Sequence, residues 1–134
     1  MQENVVQPVG ELRTARQILI VDDDTLTTAA MAKLFVSAGF APVVFNGGKP
    51  ALKRVSDGID VAAAVVDVHL QDMNGLVVAR ELREMLGPET PIIIVSADTS
   101  METLNSLPRV GVSFFFSKPV QAAELIERVK EWTA

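Results

Sequence analysis

"ILIVDDD", Ile18 to Asp24, sets four aliphatic residues directly against three carboxylates. Consecutive branched aliphatics read as a short strand covered on both faces, because a half-exposed strand or a surface helix would interleave polar residues. The acids then stand at the carboxyl end of that strand. Two like charges about 4 Å apart repel by roughly 4 kcal/mol at an effective dielectric near 20. Such a cluster is costly unless something positive shares it.

Working outward, further strand-like runs follow at "PVVF" (42–45), "VAAAVV" (61–66), "PIIIVS" (91–96) and "VSFFF" (112–116). Each is short, apolar and mostly β-branched or aromatic, with "VAAAVV" the weakest because it is rich in Ala. Amphipathic stretches lie between them. Leu26, Ala30, Leu34 and Ala38 recur at helical spacing, as do Leu76, Ala79, Leu82 and Leu86, and Ala122, Leu125, Ile126, Val129 and Trp132. "GFAP" (39–42) and "GPETP" (87–91) supply helix stops. Strands alternating with helices imply βαβ units, hence an α/β fold with a parallel sheet and helices on both faces. Sheets of this kind carry function in the crevice at the carboxyl ends of the strands.

The chain has 134 residues, which predicts one domain with a real core. We divide it into a flexible N-terminal extension over 1–16, with a short helical turn near Glu11 to Arg16, and a folded domain over 17–134. There is no Cys, which excludes disulfides, zinc-thiolate sites and a thiol nucleophile. The net charge of −5 argues against nucleic acid as a direct partner and is compatible with a bound cation. No apolar run is long enough to span a bilayer, and the N-terminus lacks the order of a signal peptide, so no membrane association and a cytoplasmic location are expected.

The strand ends bring one set of groups together. Asp22, Asp23 and Asp24 follow the first strand, Asp67 the third, Ser96 closes the fourth, and Lys118 with Pro119 follows the fifth. Taken singly, each has an ordinary reading. Asp24 is the expected N-cap of the helix beginning near Thr25, and a lone Ser or Lys at a strand end is usually solvated. Their joint placement points further. Clustered carboxylates suit a hard divalent cation such as Mg²⁺. A carboxylate beside the metal can attack phosphorus, with Lys, Ser and the metal stabilising the phosphoryl oxygens.

With these residues assembled, the chain from Gln17 to about Trp132 resembles a receiver domain of the response regulators of two-component signalling, in the CheY-like superfamily. The resemblance rests on "ILIVDDD", "GFAPVVFNGGKPAL", "VVDVHLQDMNGL", "IIIVSAD" and "FFFSKPV" and on the spacings of Asp22, Asp67, Ser96 and Lys118. It implies a flavodoxin-like, doubly wound five-stranded sheet in order 2-1-3-4-5 with five helices. It implies that Asp67 is the phosphoacceptor, with Ser96 and Lys118 closing on the phosphoryl group. Asp22, Asp23, Asp67 and the backbone carbonyl of His69 would hold Mg²⁺ (or Mn²⁺). The Lys118–Pro119 peptide would be cis, and Ser96 and Phe115 would form the switch. The donor would be a phosphohistidine on a sensor histidine kinase or phosphotransfer protein of a bacterial pathway. The reader would be an output protein or domain contacting the fourth helix, fifth strand and fifth helix. The same surface would serve a homodimer. Enzymatic action would be limited to self-phosphorylation and autodephosphorylation.

The sequence departs from the family pattern in four places. Gln71 stands where Pro is usual, and Phe115 lacks the hydroxyl of the common Tyr. Pro108 should stop the fourth helix by Leu107, which weakens the expected homodimer. His69 and Asp98 occupy two variable positions flanking the phosphorylation site, and we read them as a lid pair that tunes the lifetime of the phosphorylated state. Ala97 is small, and by the resemblance a small residue there would keep the phosphorylation site open. Alternation along the fifth strand sends Phe114 and Phe116 to one face, as core, and Phe115 to the other.

Other readings compete. A phosphorylation-independent interaction module on the same fold would explain the departures but not the intact acid, hydroxyl and amine set. A haloacid-dehalogenase-like phosphatase would use Asp22 and Asp24, yet Leu26 replaces the expected Thr or Val and Asp67 is left without a role. A flavodoxin-like cofactor binder needs a glycine- and hydroxyl-rich phosphate loop, where this chain places acids. Met1 favours a natural start. The end at "VKEWTA" suits equally a stand-alone receiver and a receiver belonging to a larger regulator or hybrid kinase.

Overall fold

The computed structural model describes residues 15–134. The expected extension over 1–16, including the turn near Glu11, falls almost wholly outside the described residues. Five strands, β1 (Gln17–Val21), β2 (Ala41–Phe45), β3 (Ala63–Val66), β4 (Ile92–Ser96) and β5 (Phe114–Ser117), form one sheet in the order β2-β1-β3-β4-β5. All pairings are parallel. The helices are α1 (Thr25–Ser37), α2 (Gly48–Ser56), α3 (Gly75–Leu86), α4 (Met101–Ser106) and α5 (Ala122–Trp132). The doubly wound α/β fold with five helices is therefore the observed one.

Strand alternation divides the core into two layers. Leu19, Val21, Ala64, Val66, Ile92 and Ile94 point to one face and pack on Ala51, Val55, Val78, Ala79 and Leu82 of α2 and α3. Ile18, Ile20, Ala63, Val65, Ile93 and Val95 point to the other, against Met31 and Phe35 of α1 and Leu125, Ile126 and Val129 of α5. Every residue of β3 and β4 is buried, which is why those runs show no polar alternation. Burying one such aliphatic side chain contributes about 1.5–3 kcal/mol, so both faces supply stability.

Helix boundaries follow local chemistry. The Asp24 side chain accepts from Thr27 N and caps α1, as expected. α4 ends at Ser106, and Pro108 lies in a 3₁₀ turn over Leu107–Val110, in line with the missing N–H of proline. α2 has no side-chain cap of its own, since Gly47 precedes it. Asp72, from the loop after β3, accepts instead from Gly48 N at 2.9 Å and Lys49 N at 2.8 Å. A Cβ on Gly47 would press on the Asp72 carboxylate.

Four expectations need correction. The stripe of Leu26, Ala30 and Leu34 is not the core face of α1, since Leu26 is 83% exposed and the helix buries Thr28, Met31 and Phe35 instead. β3 begins at Ala63, not at Val61. β5 begins at Phe114, not at Val112, because Val112 and Ser113 belong to the turn leaving the 3₁₀ segment and Ser113 Oγ accepts from Ile92 N instead. Phe114 is not core. It is 43% exposed and stacks on Trp132, ring centroids 3.6 Å apart. It lies on the edge strand of the sheet, beside Trp132 of α5. Phe116 does pack on the α1–α5 layer and Phe115 on the opposite one, so the alternation holds.

Candidate phosphoryl-transfer site

Because all strands run the same way, the residues just past β1, β3 and β5 and the last residue of β4 meet at one edge of the sheet. Backbone bonds lock each in place. Asp22 N donates to Phe45 O, Asp67 N to Val21 O, and Lys118 N to Ser96 O. Gly75, first residue of α3, donates to Val68 O, and a Cβ there would overlap the Asp67 carbonyl oxygen. Only glycine lets α3 start so close to the strand end.

Asp22, Asp23 and Asp67 place carboxylate oxygens within 4.8 Å of one another. Asp22 and Asp67 are buried. Lys118 Nζ donates to Asp22 Oδ2 at 2.8 Å and to Asp67 Oδ2 at 3.0 Å. Asp22 Oδ1 accepts from Asp24 N at 3.0 Å, which turns its other oxygen inward. Burial pushes the Asp22 carboxyl up from its ordinary value, more than its bonds to Lys118 and Asp24 pull it down. For Lys118, burial alone would lower the ammonium, but its hydrogen bonds to Asp22 and Asp67 outweigh it and the net shift is upward. One ammonium shared by buried carboxylates thus relieves part of the repulsion legible in the sequence. Clustered hard oxygen donors of this kind fit a divalent cation of the Mg²⁺ or Mn²⁺ type.

Ser96 is buried beside this cluster, with its Oγ accepting from Asp98 N at 3.2 Å. The Lys118–Pro119 peptide is cis. Phe115 is partly buried, packed on the α2–α3 layer. His69 N approaches Asp67 Oδ1 at 3.4 Å, a long contact. The His69 side chain reaches Asp98 of the loop after β4, with Nε2 2.7 Å from Asp98 Oδ2, the distance of a bond donated by an imidazole N–H. Asp98 also accepts from Ser100 N and Thr103 Oγ1. These bonds, led by that from Ser100, hold its carboxyl far below the usual carboxylate range.

Sequence reasoning brought together the acids and Lys118 and anticipated the His69–Asp98 pair. It missed Asp72, Gly75 and Thr103. The glycine at the head of a helix directly after "DMN" was the one available signal for Gly75. Asp72 acts on the backbone N–H groups of Gly48 and Lys49, and Thr103 through a side-chain bond to nearby Asp98 that no sequence pattern marks.

Comparison with known proteins identifies a family and a fold. Residues 18–130 match the family described as response regulator receiver domain. The sensory/regulatory protein RpfC of Xanthomonas campestris is 30% identical over 118 residues, covering 86% of this chain but 16% of that protein. The crystal structure of a CheY-like receiver domain protein from Methanospirillum hungatei superposes with a TM-score of 0.82 at 25% identity, covering 88% of this chain and 93% of that one. The receiver domain of the sensor histidine kinase PA1611 from Pseudomonas aeruginosa, solved with magnesium in its active-site cleft, shares the fold. Its TM-score is 0.78 at 22% identity, covering 90% of this chain and 98% of its own.

Proposed function

The chain belongs to the response regulator receiver family of two-component signalling, and on that premise we propose that Asp67 accepts a phosphoryl group from a phosphohistidine. The observation that carries the reading is the joint placement of Asp22, Asp23, Asp67 and Lys118 at one sheet edge.

In the transfer, an oxygen of the Asp67 carboxylate attacks phosphorus while the P–N bond to the donor imidazole breaks. The electron pair leaves with the imidazole, and an aspartyl phosphate forms. Lys118, already 3.0 Å from Asp67 Oδ2, pairs with a phosphoryl oxygen as charge builds there. Asp22, Asp23 and Asp67, with the backbone carbonyl of His69, would hold Mg²⁺ or Mn²⁺. Such an ion supplies positive charge to the phosphoryl oxygens and orients the donor. Hydrolysis reverses the state, with water attacking phosphorus, the P–O bond to Asp67 breaking and inorganic phosphate leaving.

The phosphoryl group adds charge and strong acceptors. Ser96 Oγ exchanges its bond from Asp98 N for one to a phosphoryl oxygen, and Phe115 turns into the space vacated. The α4–β5–α5 surface then shifts between two populations read by an output partner. The His69–Asp98 pair, two residues past Asp67 and two past Ser96, tunes the lifetime of the phosphorylated state. Among the described residues no helix is long and apolar enough to cross a membrane, which suits a cytoplasmic signalling module. The donor is a sensor kinase or phosphotransfer protein.

Phosphoramidate, whose P–N bond mimics that of phosphohistidine, tests the reading directly. The protein is incubated with it and Mg²⁺, the acyl phosphate reduced with borohydride, and peptides sequenced by mass spectrometry. Conversion of residue 67 to homoserine is expected. Conversion at another acid, or none, would overturn the assignment.

A further inference from the structure

Asp98 is bonded to two separate parts of the fold through one oxygen. Its Oδ2 lies 2.7 Å from His69 Nε2, on the loop that leaves the Asp67 strand, and accepts from Thr103 Oγ1, in α4, at 2.8 Å. Its Oδ1 accepts from Ser100 N at 2.9 Å, while its own N–H donates to Ser96 Oγ at 3.2 Å. The Asp98 side chain is 17% exposed, that of His69 69%, and Thr103 is buried. The carboxylate is therefore fixed from the α4 side, and among the described residues the exposed imidazole is its one side-chain tie to the Asp67 loop.

We propose that Asp98 couples the phosphoacceptor loop to the first turn of α4, through His69 on one side and Thr103 on the other, by a path separate from Phe115. The trigger rests on the function proposed above, whereas the link itself is present in this structure. Ser96 Oγ accepts from Asp98 N only while it stays in place. Its departure toward a group on Asp67 frees the Asp98 backbone, and the ties to Ser100 and Thr103 carry that displacement into α4. α4 is six residues long. So short a helix has few internal hydrogen bonds, and its first turn depends on side-chain ties such as Ser100 Oγ accepting from Thr103 N. Phe115 sits on β5 and packs on the α2–α3 layer, so it takes no part in this chain of contacts. The loop between β4 and α4 is thus the two-state element, biased from both ends.

Amide exchange of the whole chain, followed by NMR at Thr103 and Leu104, tests the link in the unphosphorylated protein. His69→Ala should speed exchange at both amides severalfold, although no hydrogen bond joins His69 to α4. In a Thr103→Val background the same change should have no further effect, because the link is already cut, and Thr103→Ser should restore it. Unchanged exchange in His69→Ala, or the same acceleration in both backgrounds, would overturn the proposal. A second arm adds acetyl phosphate and Mg²⁺, with loading followed by intact mass. Thr103→Val should load Asp67 as the parent does yet lose the exchange response of α4, and a response equal to the parent's would contradict the trigger. If the parent itself does not load, the phosphoacceptor reading fails, while the resting arm still decides the link.

Discussion

Lys118 Nζ bridges Asp22 and Asp67, 2.8 Å from one carboxylate and 3.0 Å from the other. The same ammonium both neutralises the acid cluster and competes with any cation that enters it. Replacing it by the similarly shaped, neutral Met should therefore have opposite effects on two measurements. Lys118→Met should bind Mg²⁺ more tightly by calorimetric titration, since a repelling charge is gone. It should also accept a phosphoryl group about 100-fold more slowly, the usual cost of removing one donor to developing negative charge. Loss of both together would mean that Lys118 holds the acids in place and does not act on the phosphoryl group.

Gly75 is required by contact, because a Cβ would overlap the carbonyl oxygen of Asp67. Backbone on both sides leaves nothing flexible to yield. Gly75→Ala should lower stability by about 1–3 kcal/mol, as overpacking generally does, and slow loading of Asp67 by displacing it. Urea denaturation and phosphorylation kinetics check the two effects.

Arg83 joins α3 to the turn that leads into β5. Its guanidinium donates to Gly87 O, Thr90 O and Gly111 O, each at 2.7 Å for the nearest nitrogen. Lysine cannot fork in this way. Arg83→Lys should cost about 1.5–3 kcal/mol in urea denaturation, the range for hydrogen bonds to a charged group. Gly111, at φ 77°, faces the Arg83 stem, so Gly111→Ala should be destabilising through the backbone as well.

Asp72 gives a pH dependence of definite sign. The N–H groups of Lys49 and Gly48 hold its carboxyl below the usual 3.8. A depressed folded-state value means that the unfolded chain binds the proton more readily. The stabilisation is therefore fully present above about 3.8, the unfolded value, and is lost as pH falls through the lower folded value. Asp72→Asn should melt below the parent near neutrality, and the gap should close on acidification through this window. Asp22 works in the opposite sense, since its raised carboxyl favours the folded state where it is protonated. The melting temperature of Asp22→Asn relative to the parent should therefore rise from acid to neutral pH, because only the parent carries the penalised charge there.

The site was legible where chemistry follows directly on an apolar run. Asp22, Asp67 and Lys118 each come one residue after a strand and Ser96 ends one, so a parallel sheet leaves them no choice but to meet. The start of β5 was misplaced because Val112 and Ser113 have strand-forming neighbours but are spent in the turn after Pro108. Phe114 read as core because apolar character does not reveal that a position lies on an edge strand. Asp72 and Arg83 were invisible for another reason. Their partners are backbone N–H and C=O groups, which every residue carries and no sequence pattern distinguishes.

Intact-mass spectrometry after incubation with acetyl phosphate and Mg²⁺ tests the central claim most directly. The account predicts one added phosphoryl group on the parent chain, absent when Mg²⁺ is chelated and absent from Asp67→Asn. An adduct that persists in full on Asp67→Asn, or a parent chain that takes up none at saturating Mg²⁺, would contradict it.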